Sequence, residues 1–170
     1  MRRLPPSSSS PTCGTVCPAC AMPDGRQSET ALLIARGARR HLRQLGFATI
    51  TELILPDGRR ADIVALAGDG TIHIVEIKSS VADFRSDTKW PDYRVHCDHL
   101  SFAVTQDMPL DIMPQDAGLI VADAYGAAVL RDAPSHRMSG ATRRAVLLRF
   151  AHAAADRLHL QEDPESGLLS

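Results

Sequence analysis

A glycine-rich turn between two short apolar runs constrains this chain more than any other stretch. The runs cover residues 61–67 and 71–78, and the turn is the Gly-Asp-Gly at 68–70. Apolar runs of this length, rich in β-branched residues and joined by a few turn residues, predict a β-hairpin. The hairpin lies near the middle of the sequence, and we expect the rest of the domain to be organised around it.

The register of this hairpin brings charged residues together. With a three-residue loop, Asp62 lies opposite Glu76, and Arg60 lies opposite Lys78. Because side chains alternate along a strand, Asp62, Glu76 and Lys78 share one face of the sheet. Two carboxylates in opposite positions, with Cβ atoms about 5 Å apart, repel each other. We therefore expect compensating positive charge, and the candidates are a divalent cation and Lys78.

Paired carboxylates beside a lysine suit phosphate chemistry. Mg²⁺ takes oxygen ligands and keeps several waters, so one or two carboxylates and a substrate phosphate form a sufficient site. Mn²⁺ is the alternative ion. Lys78 would lie beside such an ion as a compact positive charge, where it can help to deprotonate an attacking water or stabilise charge on phosphorus.

The alternative interpretation is a surface hairpin with a solvated salt bridge from Glu76 to Lys78 or Arg60. The apolar residues of both runs argue against it, because they point to both faces of the sheet. Strands of a sheet that is covered on both faces have apolar residues on both sides. Charged residues at the end of such a sheet favour a functional role. The apolar residues concerned are Ile63, Val64, Leu66, Ile72, Ile74, Val75 and Ile77.

Composition limits the classes of protein to consider. The chain has 170 residues, 44% of them hydrophobic, which is enough for one globular domain with a core. Its net charge is −1, so any attraction to nucleic acid must come from local basic clusters. No apolar run approaches the roughly 18 residues of a membrane span, and the first residues lack the apolar core of an export signal. We expect a cytoplasmic protein.

The two ends of the chain differ in composition from its middle. Residues 1–27 are rich in proline and serine, which predicts a disordered tail. Cys13, Cys17 and Cys20 have a C-x₃-C-x₂-C spacing that occurs in iron–sulfur sites, but a domain of this size and the missing fourth zinc ligand favour free thiols. Their role stays open. We expect one domain over residues 28–160 and a frayed C-terminus over 161–170.

Helices and strands alternate through residues 28–160. Ser28 is a good N-cap for a helix to about Leu45, and that helix carries Arg36, Arg40 and Arg43 opposite its apolar stripe. These arginines form either a solvated face or contacts to a DNA backbone. Further strands are predicted at 48–55, 100–104, 118–123 and 127–131, and further helices at 81–87 and 141–160, the last with a buried side of Ala145, Leu148, Ala151, Ala155 and Leu158.

Two other groups of residues are candidates for function. Glu52, in the first strand, is a third acidic candidate, although an exposed residue on an edge strand would look the same. Basic residues Arg85, Lys89 and Arg94 follow the hairpin together with the aromatic residues Trp90 and Tyr93. Basic and aromatic side chains in one segment suit phosphate contact and base stacking, but we expect the two rings to pack the helix on the sheet.

The residues of the hairpin resemble motifs of the PD-(D/E)XK nuclease superfamily. Arg60-Ala61-Asp62 stands at the first acidic motif of that superfamily, and Glu76-Ile77-Lys78 matches its E-x-K. The segments G-R-R-A-D, V-E-I-K-S-S-V-A-D-F, K-W-P-D-Y and G-L-I-V-A-D-A-Y-G-A are similar to the bacterial MmcB-like DNA-repair family over about residues 29–160. One departure is Ala61, which stands where the strict motif has proline.

The resemblance implies an α/β fold with a restriction-endonuclease-like core, a central mixed β-sheet flanked by helices. It also implies that Asp62, Glu76 and the Ile77 carbonyl bind Mg²⁺ or Mn²⁺, with Lys78 assisting the nucleophilic water. In similar nucleases the helix after the hairpin edges the substrate groove. The candidate DNA contacts are therefore Arg60, Ser79, Arg85, Lys89 and Arg94.

The function implied by the resemblance is a metal-dependent DNA endonuclease or nickase acting in repair on damaged or branched DNA. The alternative is a non-catalytic DNA-binding accessory that works with other repair proteins. A third possibility is a structural or regulatory protein whose carboxylates form an ion-pair network. The sequence leaves open whether the protein forms a homodimer.

Overall fold

A computed structural model of the chain describes residues 28–165. Its six strands form a single mixed sheet in the order β1-β2-β3-β4-β5-β6. The β3–β4 and β4–β5 pairs are parallel, and the other pairs are antiparallel. The strands are β1 (Ala48–Ile54), β2 (Arg60–Leu66), β3 (Ile72–Lys78), β4 (His99–Val104), β5 (Gly118–Ala122) and β6 (Ala127–Arg131).

Three α-helices accompany the sheet: α1 (Glu29–Gln44), α2 (Val81–Ser86) and α3 (Gly140–Glu162). Two 3₁₀ segments, Trp90–His96 and Leu110–Ile112, lie in the connections before β4 and β5. The predicted α/β class, with a central mixed sheet flanked by helices, is confirmed. None of the helices in the described region is long and apolar enough to cross a membrane.

Helix α1 begins and ends as its sequence predicts. The Ser28 hydroxyl accepts a hydrogen bond from the Ala31 N–H at 3.1 Å, and Gly46 follows the helix with a φ of 88°. Glycine suits that left-handed conformation because it has no Cβ. The apolar stripe packs on the sheet, except that Leu45 is exposed, since the chain turns away at this point. The buried residues of α1 are Ile34, Ala35, Gly37, Ala38 and Leu42.

Two apolar clusters cover the two faces of the sheet. Helix α1 packs on one face with alternate residues of β2 and β3, such as Ile63 and Val75. The first half of α3 packs on the other face through Val146 and Phe150, against residues that include Ile74. Because both faces are covered, the inner strands are buried along most of their length.

The predicted buried side of α3 is wrong. Leu148 and Leu158 are exposed, and the buried residues are Val146 and Phe150 instead. The apolar residues of α3 are spread around the helix, so several alternative stripes fit the helical period. Contact with the sheet selects one of them and involves residues up to about the middle of the helix, since Leu147 and Ala153 are partly buried there.

Gly37 is the point where α1 comes closest to the rest of the fold. A Cβ atom on Gly37 would clash with the backbone carbonyl oxygens of Asp123 and Gly126 in the β5–β6 turn. We expect Gly37→Ala to destabilise the protein by about 1–3 kcal/mol through overpacking, although alanine favours a helix. Urea unfolding measures this effect. Gly140→Ala is the matched control, since it is also helical and nothing lies within 4 Å of its Cβ; an equal loss of stability in both variants would contradict the explanation.

Candidate metal and nucleic-acid site

The strands β1, β2 and β3 interrupt their backbone pairing at neighbouring positions. In β1, the pairs Thr51–Ile63 and Leu53–Ala61 leave Glu52 out, and Glu52 has a φ of 53°. A positive φ is uncommon for a residue other than glycine. The β2–β3 ladder ends at Ile63 and Val75. The sheet is therefore open at one end of the hairpin, beside Asp62 and Glu76.

Side chains replace the missing backbone hydrogen bonds at this end of the hairpin. The Ile77 N–H donates to Asp62 Oδ2 at 2.8 Å, and the Asp62 N–H donates to Glu76 Oε1 at 3.3 Å. The predicted register holds for four pairs, but the predicted backbone pairs Asp62–Glu76 and Arg60–Lys78 do not form. The reason is that the Asp62 carboxylate occupies the Ile77 donor. The two carboxylates nevertheless lie side by side.

Burial makes the charge on these carboxylates unfavourable. Glu76 is only 3% exposed, and Asp62 is half-buried. Desolvation, and then repulsion from Asp62, raise the pKa of Glu76 well above its ordinary value. Desolvation also raises the pKa of Asp62, with a contribution from Glu52, although the Ile77 N–H and Lys78 oppose the change. The structure therefore does not contain the alternative considered above, a solvated salt bridge from Glu76 to Lys78 or Arg60.

These shifts predict an unusual dependence of stability on pH when divalent cations are chelated. Because the folded state holds the Glu76 proton more tightly than the unfolded chain does, the stability that this group contributes falls as the pH rises above 4.5. Glu76→Gln removes that dependence, since the amide does not titrate. We expect the variant to gain stability over the wild type between about pH 5 and pH 8, measured by urea unfolding in chelator. A difference in unfolding free energy between the two proteins that does not change with pH would contradict the raised pKa of Glu76.

Lys78 extends from the end of β3 and is held by α2. Its side-chain nitrogen Nζ lies 2.6 Å from Asp87 Oδ2, and the residue is 5% exposed. Burial by itself lowers the pKa of Lys78, but Asp87 and then Glu76 outweigh it, so the pKa is raised. Ser80 caps α2 by accepting a hydrogen bond from the Asp83 N–H, and this short helix brings Asp87 back to the strand. Lys78 is therefore a fixed positive charge.

The predicted residues Asp62, Glu76 and Lys78 line one cavity of about 840 Å³. The cavity lies at the carboxyl end of β3, where open α/β sheets bind ligands. Its wall also includes two further predicted residues, Ile77 and Ser79. Basic side chains surround its rim, namely Arg59, Arg60 and Lys89.

Glu52 lies one strand further out. Its carboxylate Oε2 is 2.5 Å from Arg60 Nε, so it anchors a basic residue of the cavity rim. Within residues 28–165, no three histidine, cysteine, aspartate or glutamate side chains form a group that could hold a metal ion. The carboxylates of Asp83 and Asp87 also line the cavity, but they bind the Ser79 N–H and Lys78. Asp62 and Glu76 are therefore the pair that we consider for a metal ion.

The basic residues after the hairpin have different surroundings. Lys89 lines the cavity, and Arg85 is exposed on α2. Arg94 lies elsewhere: its guanidinium is 4.9 Å from the centre of the Trp90 ring, and its Nη2 is 2.5 Å from Asp116 Oδ2. The expected packing of Trp90 and Tyr93 on the sheet is confirmed.

Several polar residues of the cavity wall were not among the predicted site residues, and they include Arg59, Asp83, Asp87 and Tyr93. Arg59 bonds to Asp57 and Asp92, which fix its guanidinium at the rim. The Tyr93 hydroxyl donates to the Arg60 carbonyl at 3.0 Å, and Asp83 accepts from the Ser79 N–H at 3.0 Å. Asp87 holds Lys78. The adjacent pair Arg59-Arg60 was a visible signal in the sequence, but the return of Asp83, Asp87 and Tyr93 to the hairpin depends on the connection after β3.

The two carboxylates suit a hard divalent cation. Each gives one oxygen to a backbone N–H, and the hydrogen bonds of the described residues leave Asp62 Oδ1 and Glu76 Oε2 available. Both pKa values are raised, chiefly because burial disfavours the charged carboxylates, and Lys78 offsets only part of this effect. Mg²⁺ or Mn²⁺ would supply further positive charge, and oxygen ligands are what these ions prefer.

Another cavity, of about 600 Å³, lies beside the β5–β6 turn. Its lining includes Leu33, Ala122 and Ala127, with Asp123, whose carboxylate accepts hydrogen bonds from the Tyr125 and Gly126 N–H groups of the turn. That carboxylate therefore stabilises the turn. The paired carboxylates and the lysine are in the first cavity, which we take as the candidate site.

Comparisons with known proteins agree with this fold. A family model described as DNA repair protein MmcB-like matches residues 19–165. The chain is similar to a solved protein of unknown function from Silicibacter pomeroyi, with 39% sequence identity and a TM-score of 0.78, over 81% of this chain and 94% of that one. No curated protein matches. Cys13 and Cys17 lie outside both the matched and the described residues, and Cys20 lies outside the described ones.

Proposed function

The chain belongs to the MmcB-like family of DNA repair proteins, and we propose that it is a metal-dependent DNA endonuclease or nickase of the PD-(D/E)XK type. In this proposal it hydrolyses phosphodiester bonds in damaged or branched DNA. Asp62, Glu76 and the Ile77 carbonyl hold Mg²⁺ or Mn²⁺, and Lys78 acts beside them. One observation carries the proposal: the buried Glu76 carboxylate, the half-buried Asp62 carboxylate and the buried Lys78 lie together in an open cavity.

Each carboxylate has a defined orientation. The Ile77 N–H fixes Asp62 Oδ2, and the Asp62 N–H holds Glu76 Oε1, so neither side chain needs to reorganise to bind a cation. Preorganised ligands lose little conformational entropy on binding. A bound Mg²⁺ or Mn²⁺ would act as a Lewis acid on the phosphate and lower the pKa of a coordinated water.

Lys78 contributes as a positive charge in this proposal. Because Asp87 keeps the ammonium charged and in place, Lys78 is suited to stabilise the charge that develops on phosphorus. Fixed charges in a partly water-excluded site act more strongly than they would in water. Abstraction of a proton from water by Lys78 would first require the ammonium to lose a proton, which its raised pKa opposes.

The rim supplies contacts for the DNA backbone. Arg60 and Lys89 are exposed, and Arg59 is fixed by its two aspartates. Ser79 adds a hydroxyl in the cavity wall, and Arg85 is exposed on α2. Arginine forks suit phosphate oxygens. Arg94 is the weakest candidate in this proposal, because Asp116 and the Trp90 ring already engage its guanidinium.

The test is a cleavage assay on nicked, gapped, branched and single-stranded DNA, each with Mg²⁺, with Mn²⁺ and with chelator. The proposal expects strand scission of at least one of these substrates with a metal ion and none with chelator. Scission that persists in chelator, or no scission of any substrate, would contradict it. Replacement of Asp62 in the same assay excludes a contaminating nuclease.

A DNA-binding accessory protein is the second candidate function. The specific observation in its favour is the ion pair of Lys78 with Asp87, which can serve as a structural link between β3 and α2. This candidate expects DNA binding that is equal with metal and with chelator, and no cleavage. It retains the basic rim of the cavity and needs no metal ion.

A further inference from the structure

Helix α1 carries a row of arginines on the side that faces solvent. Arg36, Arg39, Arg40 and Arg43 are all exposed, and their spacing places them on one side of the helix. Glu29, at the other end, is the only acidic residue of α1. A protein with a net charge of −1 therefore concentrates four positive charges within two turns of one helix.

The arginine row borders a groove between α1 and the edge strand β1. Besides the four arginines, the groove of about 340 Å³ is lined by Leu32, Ala35, Thr51 and Glu52. Glu52 is the acidic member, and its carboxylate is paired with Arg60. Arg39 Nε donates to the Thr49 hydroxyl at 3.3 Å, which holds one arginine against the strand. Arginines therefore outnumber acidic residues in the groove lining by four to one.

We propose that this groove binds the phosphate backbone of one DNA strand as the strand leaves the carboxylate cavity. The inference rests on the proposed function for the identity of the partner, and it extends the DNA contacts to the side of the domain opposite α2. It assigns Arg36 and Arg43 as contacts for phosphate oxygens, with Arg39 oriented by Thr49.

Two connections join the groove to the cavity. The first turn of α1 lines the cavity through Ser28 and Ala31, and the same helix then forms one wall of the groove. At the other wall, Glu52 of the groove is bonded to Arg60 of the cavity rim. The groove and the cavity are therefore adjacent, since they share one helix and are joined by one ion pair.

The length of the row suits a nucleic acid strand. Arg36 and Arg43 are seven residues apart, which is about 10 Å along a helix. A DNA strand has one phosphate for about every 3.4 Å of duplex axis, so the row can follow about three phosphates. Regularly spaced guanidinium groups fit a regular polyanion, and arginine binds phosphate through paired hydrogen bonds. Charge complementarity therefore favours a phosphate backbone as the occupant.

The test uses the full chain in chelator, so that DNA binding is measured without cleavage. Binding to a labelled duplex of about 20 base pairs is followed by fluorescence anisotropy from about 50 to 200 mM salt. The variant is Arg36→Ala with Arg43→Ala, because no hydrogen bond or ion pair of either side chain is found within residues 28–165 and alanine preserves the helix. The control is Arg137→Ala with Arg144→Ala, which removes the same charge from two exposed arginines, one shortly before α3 and one in its first turns, across the sheet.

We expect the α1 variant to bind the duplex at least about tenfold more weakly than wild type, with a slope of log K against log salt that is smaller by about two. The control should retain the affinity and the slope of wild type. Equal losses of DNA affinity in both double variants, or no loss in the α1 variant, would overturn the inference. It would also be overturned if the α1 variant bound DNA like wild type but bound an acidic protein more weakly. The cleavage proposal can fail separately. In that case neither wild type nor any variant cuts DNA, while Asp62→Asn still binds DNA like wild type.

Discussion

Asp62→Asn is expected to lower the rate of metal-dependent DNA cleavage by at least about a thousandfold, which is about 4 kcal/mol in the activation free energy. The reason is that the amide removes the negative charge that would attract the cation and leaves Glu76 as the remaining carboxylate ligand that we propose for it. Single-turnover cleavage with excess protein measures the chemical step directly.

The fold of this variant should survive, and its stability should rise. An amide oxygen can still accept the Ile77 N–H, and removal of the Asp62 charge relieves the repulsion that raises the pKa of Glu76. Asp132→Asn is the control, because Asp132 is exposed and lies after β6. Asp62→Asn with wild-type cleavage, or a loss of activity that follows a loss of folding, would refute the assignment.

Lys78→Met is expected to lower the rate of cleavage by roughly a hundredfold while DNA binding changes little. Methionine keeps much of the length of the side chain, but it removes the fixed charge that Asp87 holds beside Glu76. Loss of one preorganised group that stabilises charge in a transition state typically has an effect of this size. The measurement is the cleavage rate at saturating protein, compared with the dissociation constant for DNA in chelator.

Lys89→Met provides the matched control for this prediction. Lys89 lines the same cavity, but it is exposed and lies at the rim. Its loss should weaken DNA binding and leave the rate at saturating protein near that of wild type. If the two lysine variants lose the same fraction of that rate, Lys78 has no special part in the chemical step.

The central part of the fold could be predicted because its signals are local. The two short apolar runs, the Gly-Asp-Gly turn and the N-cap at Ser28 each specify a short segment, and together they locate the hairpin and α1. The same local signals bring Asp62, Glu76 and Lys78 into one cavity, since register alone determines which strand residues are neighbours.

The remaining features depend on contacts between distant segments. The positive φ of Glu52 and its bond to Arg60 lie at the position that the β1–β2 pairing skips, and strand propensity contains no signal for such an interruption. The partner of Lys78 depends on how the short helix α2 turns back towards β3. The exposed Leu158 shows the same limit, because the apolar pattern of α3 fits several faces and only the sheet selects one.

Binding of a divalent cation by the paired carboxylates of β2 and β3 is the proposal on which the others depend. Its most direct test is titration of the metal-free protein with Mn²⁺, with bound ion measured by calorimetry or electron spin resonance, in wild type, Asp62→Asn and Glu76→Gln. The account predicts Mn²⁺ binding to wild type that is lost or weakened at least about tenfold in both variants, as expected when one of two charged ligands is removed. No binding to the wild type, or equal binding to all three proteins, would contradict it.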